Sequence, residues 1–136
     1  MTKNDLYEIA QEENILVDAF PLEKNKSVSV LLGNKCYIAI DSNTEKSEAE
    51  EKVHLAHELG HCITKSFYNI HSPLDLREKH EYRADKWAVK KLIPKNELTE
   101  LLKKDTAKWD IAEHFGVTES FLNLALIMYF EHGIAV

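Results

Sequence analysis

The sequence predicts an α+β fold, with a small antiparallel sheet near the N-terminus followed by helices. Three observations carry this reading. Short β-rich runs separated by Gly33-Asn34 lie before Asp41, and apolar spacing of three and four takes over from Ser47 onward. No repeat, low-complexity stretch or long linker divides the 136 residues, so one domain over 1–136 with a single core is expected.

Each element has its own signal. Residues Asp5–Glu13 carry Leu6, Ile9 and Ala10 at helical spacing, and Phe20-Pro21 closes the connection after them, because proline pushes the preceding residue out of helical geometry. Val28, Val30 and Leu32 alternate with polar or smaller neighbours. Tyr37, Ile38 and Ile40 follow the Gly-Asn pair, so the two runs read as a hairpin that ends at Asp41-Ser42-Asn43. From Ser47 to Ser66, Ala49, Val53, Ala56, Leu59 and Ile63 form one apolar stripe, and Ser47 with Glu50 is a capping-box pattern. A further helix runs from Pro73 to about Leu92, where Pro94 interrupts it. Shorter helices over Glu97–Lys104, Thr106–Phe115 and Thr118–Glu131 complete the chain, the C-terminal helical element covering about 106–131.

Composition removes several function classes. With 44% hydrophobic and 29% charged residues the chain is globular rather than disordered. The longest apolar run, Leu124–Phe130, is far short of a membrane span, and no apolar signal core follows Met1. Only Cys36 and Cys62 are present, so no disulfide framework is expected; both read as small packed hydrophobes, and a cytoplasmic location is the expectation. The net charge of −6 argues against direct nucleic-acid binding. Asp110–Thr118 is similar to a helix-turn-helix, with Ala112 and Gly116 spaced for its tight turn. The helix from Thr118 has no Lys or Arg, however, so it reads as packing or as a protein-binding surface.

The chemistry centres on His57-Glu58-Leu59-Gly60-His61. Residues four apart share a helix face, so both imidazoles can converge on one ion. Zinc accepts neutral imidazole nitrogen, and a catalytic site keeps one position open for water. Glu58 follows the first histidine and is aimed at that open side, where it can act as general base. A third ligand is expected downstream. Glu81 and Asp85 are four apart on a predicted helix, which suits Glu81 on the metal and Asp85 hydrogen-bonded to a ligating imidazole. Glu78, three residues earlier, is the rival ligand. His54 lies near the same face as His57 and reads as a surface or supporting histidine. Tyr68, His71, His80 and Tyr82 are the candidates for stabilising a developing oxyanion.

Ala56-His57-Glu58-Leu59-Gly60-His61-Cys62, then Glu81-x-x-Ala84-Asp85-x-Trp87-Ala88 and Leu92-Ile93-Pro94, resembles the ImmA/IrrE family of metallopeptidases from about Tyr37 to Leu124. The resemblance implies a minimal thermolysin-like zincin fold, one zinc ion per chain and Glu81 as third ligand. It also implies an endopeptidase that cleaves a helix-turn-helix repressor of a phage or mobile element. A non-catalytic, zinc-containing module that binds the repressor is the alternative. Peptidases of this fold type align substrate along a strand edge, which points to the Tyr37–Ile40 edge, with the loop around Tyr68–Pro73 closing over it.

Overall fold

The structure is a computed structural model in which residues 1–22, 27–42, 47–69 and 71–135 are described. It is α+β, as the sequence predicts. The first helix, α1 (Lys3–Glu12), starts in a reciprocal capping box. Thr2 Oγ1 accepts from the Asp5 amide at 3.2 Å and the Asp5 carboxylate accepts from the Thr2 amide at 2.7 Å. Leu6 and Ala10, one turn apart, are its buried face.

Three strands follow: β1 (Leu16–Phe20), β2 (Ser27–Leu32) and β3 (Lys35–Asp41). The β2–β3 hairpin turns at Gly33, whose φ of +64° suits a residue without a Cβ. The spatial order is β1-β3-β2, with β1 parallel and β2 antiparallel to β3. This overturns one expectation. The Tyr37–Ile40 segment is paired on both sides and has no free edge for a substrate, so proline at Ala39 would remove a bond inside the sheet. The reason is β1, which the sequence reading treats as a connection. Its residues Leu-Val-Asp-Ala-Phe are mostly exposed and give almost no alternation to detect. The proposed exit at Asn43 lies outside the described residues.

Register decides which side chains reach the helices. Paired residues in a sheet point to the same face, and the period along each strand is two. Cys36, Ile38 and Ile40 of β3 face the core, and their β2 partners are Leu31, Ser29 and Ser27. The two serines therefore face inward. Val30 and Leu32, the apparent apolar stripe, are 45% and 63% exposed.

Helix α2 (Glu48–Thr64) is capped by Ser47, whose hydroxyl accepts from the Glu50 amide, and ends at Lys65 in left-handed geometry with φ of 55°. It packs between the sheet and α3 (Leu74–Leu92). Pro94 then breaks the chain before α4 (Lys95–Lys103). Helices α5 (Lys108–Phe115) and α6 (Glu119–Leu126) are joined at Gly116 with φ of +66°, and a π-helical turn (Ile127–Glu131) continues α6. Phe121, Leu122 and Ala125 of α6 point into the core, so the helix-turn-helix-like segment packs its second helix inward. Lys52 of α2 is buried, and its ammonium donates to the Phe115 carbonyl at 2.5 Å, tying the C-terminal end to α2. Burial pushes its pKa down. No helix among the described residues is long and apolar enough to cross a membrane.

The cysteines also depart from expectation. Both are buried, but they are joined as a disulfide across β3 and α2, with Cα atoms 5.9 Å apart. Nothing in their spacing of 26 residues shows this, because the pairing depends on β3 lying under the last turns of α2. Closing a loop of that length restricts the unfolded chain, which predicts a loss of about 3 kcal/mol on reduction. Urea unfolding with and without dithiothreitol measures it. Equal midpoints under the two conditions would contradict the crosslink, and a Cys36→Ser, Cys62→Ser protein should show the lower midpoint in both.

Candidate functional site

Helix α2 presents two chemistries on adjacent faces. His57 and His61, one turn apart, look toward α3, while Glu58 looks toward β2. The close approach of α3 depends on Gly60. A Cβ there would lie 2.5 Å from the Ala84 carbonyl oxygen, so only glycine lets α3 come near enough to bring Glu81 to the histidines.

The three groups converge. Glu81 Oε2 lies 2.8 Å from His57 Nε2, Glu81 Oε1 lies 3.1 Å from His61 Nε2, and the two Nε2 atoms are 3.2 Å apart. The far nitrogens are both engaged by acceptors. His57 Nδ1 is 2.7 Å from Asp85 Oδ1, and His61 Nδ1 is 2.5 Å from the Ser66 carbonyl. An acceptor at Nδ1 keeps the hydrogen there, so in the neutral ring Nε2 presents a lone pair toward Glu81. Two imidazole lone pairs and a carboxylate within 4.8 Å of one another can hold a metal ion. The Nδ1 partners also make the donor set suited to one.

Charges reinforce the arrangement. Burial alone would push His57 down, but its bonds to Asp85 and Glu81 outweigh this and carry its pKa to about 10. Burial would raise Glu81, yet His57, His61 and Tyr68 hold it well below the usual carboxylate range. Binding a cation here therefore displaces a proton from the cluster.

Glu58 is 6% exposed and is held through both oxygens: Ser27 Oγ donates to Oε2 at 2.8 Å and Ser29 Oγ to Oε1 at 2.7 Å. Sequence reasoning missed these serines. Their signal was two polar residues at alternate strand positions, which share a face, in a strand otherwise made of Val and Leu. Ser66 and Arg77 were missed as well; both line the cleft of about 470 Å³ that contains His57, Glu58, His61 and Glu81.

The structure separates the remaining candidates. The Tyr68 hydroxyl donates to Glu81 Oε1 at 2.6 Å, and that bond raises its pKa to about 12. His80 stacks on Tyr68 with ring centroids 6.4 Å apart and does not line the cleft. His71 is exposed outside the cleft, and Tyr82 turns the other way, its hydroxyl 3.2 Å from His132 Nδ1. Glu78 is exposed, and His54 is half-buried on α2 outside the metal-competent cluster.

A model of the IrrE N-terminal-like domain (Peptidase_M78) matches residues 10–126. The chain belongs to this family. The match takes in β1 to α6, and so every residue of the Peptidase_M78 cluster described above. No curated protein matches the chain.

Proposed function

We propose that this protein is a zinc-dependent endopeptidase that cuts one protein partner, a helix-turn-helix repressor of a phage or mobile element. The observation that carries the catalytic part is the placement of Glu58, a buried carboxylate on the neighbouring helix face to two histidines and Glu81. A structural metal site has no use for a base held in that way.

A bound zinc ion would polarise the scissile carbonyl and lower the pKa of a water beside it. The chain supplies the rest. Glu58 accepts the proton of the attacking water as the carbon–oxygen bond forms, then gives it to the departing amine nitrogen as the carbon–nitrogen bond breaks. Ser27 and Ser29 keep its carboxylate from turning away. Asp85 and the Ser66 carbonyl hold the two imidazoles in one orientation. Tyr68 has a hydroxyl at the mouth of the cluster, positioned to donate to an oxyanion once it leaves Glu81. With β3 enclosed, substrate alignment passes to β2, which pairs on one side only among the described strands and brings Ser27 and Ser29 to the cleft.

The repressor as substrate rests on the family resemblance. A cytoplasmic location goes with such a substrate. The test is sequencing of the neighbouring reading frames and, where one encodes a helix-turn-helix repressor, incubation of that protein with the zinc-loaded chain, followed by mass spectrometry. Glu58→Gln should keep its zinc and lose about 10²–10⁴-fold in cleavage rate. Binding of the repressor with no cleavage by either protein would favour the non-catalytic module instead.

A further inference from the structure

We propose that the Cys36–Cys62 bond is an exchange site for a small anionic thiol, and that its state sets how firmly the metal cluster holds its ion. The link to the ion rests on the metal-binding reading of His57, His61 and Glu81; the exchange chemistry does not. Both cysteines line a hollow of about 530 Å³, which is in the range of small-molecule sites. It shares no lining residue with the metal cleft, so a thiol entering it does not act by filling that cleft. Lys35 and Lys65 stand exposed at this hollow against one acidic residue, Glu13. The surround is therefore positive on a chain whose net charge is −6. The nucleophile in disulfide exchange is a thiolate, and a positive surround draws an anion.

Exchange proceeds in two displacements. A thiolate from solution attacks one cysteine sulfur, the Cys36–Cys62 bond breaks as the new sulfur–sulfur bond forms, and the other cysteine departs as a thiolate and takes up a proton. A second thiolate then attacks the small thiol's sulfur in that mixed disulfide and releases the first cysteine, which is protonated in turn. Two small thiols have become one small disulfide, and two electrons and two protons have passed to the protein.

What the bond clamps is the turn beside the metal cluster. Cys62 follows His61 directly, and the end of α2 closes over that histidine. The Lys65 and Ser66 amides both donate to the His61 carbonyl, and the Ser66 carbonyl accepts from His61 Nδ1. Helix ends fray unless they are tied. Here the tie is covalent, from Cys62 to Cys36 on β3, the strand paired on both sides. Cutting it frees the turn that orients one imidazole, while His57, one turn earlier, keeps its support from Asp85. Loss of an orienting partner costs about 10–100-fold in metal affinity.

The test has two arms, both on the full chain. In the first, metal-free protein in low salt is treated under native conditions with mercaptoacetate, 2-mercaptoethanol or cysteamine, and mass spectrometry follows the mixed disulfide and the loss of the bond. Each rate is divided by that of the same thiol with a neutral small disulfide, which cancels intrinsic nucleophilicity. The normalised rate should rise in proportion to thiol concentration and be about threefold or more faster for the anionic thiol than for the cationic one. Lys35→Glu combined with Lys65→Glu, at two exposed positions, should reverse that order. In the second arm the thiol is removed and zinc affinity is read by competition with a chromogenic chelator. Reduced wild type should bind zinc about tenfold or more weakly than the oxidised protein, match the Cys36→Ser, Cys62→Ser protein, and recover on reoxidation. Rates independent of thiol concentration would mean that the bond is reached only on unfolding and would overturn the exchange site. A charge order untouched by the lysine reversal, or reduction by a protein dithiol alone, would overturn it too. Equal zinc affinity in the two states, or oxidised protein that binds no zinc, would overturn the control over the metal. A chain that passes both arms and cleaves no repressor keeps this site and loses the peptidase reading. Cleavage with equal zinc affinity in the two states does the reverse.

Discussion

Wild-type protein is expected to carry one divalent metal per chain, and purified His61→Ala and Glu81→Ala proteins are expected to lose it. Each substitution removes one of three converging donor atoms and leaves two, where a catalytic zinc site ordinarily has three protein ligands. His57→Ala should behave likewise. Asp85→Ala should reduce affinity by about 10–100-fold without abolishing it, because Asp85 acts through the His57 ring it orients. Glu78→Ala should retain full occupancy, as Glu78 is exposed and outside the cluster. Acid should release the metal from the wild type. Protonated imidazole has no lone pair, and His57 takes its proton readily, with a pKa raised to about 10 in the absence of the ion. Elemental analysis after desalting reads all of these. Full occupancy in both His61→Ala and Glu81→Ala would rule out the cluster as the binding site, and loss in Glu78→Ala alone would transfer the third position to that residue.

The site was more legible in the sequence than the sheet around it, and the reason is local geometry. His57, Glu58 and His61 lie within two turns of one helix, so the helical period alone places them, and Glu81 and Asp85 obey the same rule on α3. Relations that depend on strand pairing were not readable in this way. The alternation of Val28, Val30 and Leu32 is a correct strand signal, but it marks the outward face. The inward face carries Ser27 and Ser29 because that end of β2 holds Glu58 instead of closing the core. Leu31, on the same inward face, is 45% exposed like outward-facing Val30, so apolar character alone does not mark the faces of this strand. The central position of β3 was hidden by the weak pattern of β1, and the Cys36–Cys62 bond by its dependence on how β3 lies against α2. The caps at Thr2 and Ser47 and the break at Pro94 involve neighbours in sequence. They could be read accordingly.

Gly60→Ala should destabilise the protein and weaken metal binding together, although alanine is the better helix former. Replacing a glycine inside a helix ordinarily gains about 1 kcal/mol. Here the new Cβ would sit 2.5 Å from the Ala84 carbonyl oxygen and 3.0 Å from the Ala84 carbonyl carbon and Cα. All three are backbone atoms of α3, which cannot swing aside as the end of a flexible side chain can. Overpacking of this kind costs about 1–3 kcal/mol, or more where backbone must move, so the contact outweighs the propensity gain. The strain falls where it matters for the metal. Ala84 lies one turn beyond Glu81 and next to Asp85, so displacing α3 draws both carboxylates away from His57 and His61. Metal sites tolerate only about 0.2 Å of error in ligand distance, which places the expected loss of affinity at about 10–100-fold. Thermal unfolding of the metal-free protein isolates the packing term, and competition with a chromogenic chelator measures the affinity. Adding Ala84→Gly should fail to rescue either, because the obstruction is the Ala84 main chain and not its methyl group. A Gly60→Ala protein with wild-type melting temperature and affinity would mean that α3 stands farther from α2 than the structure places it.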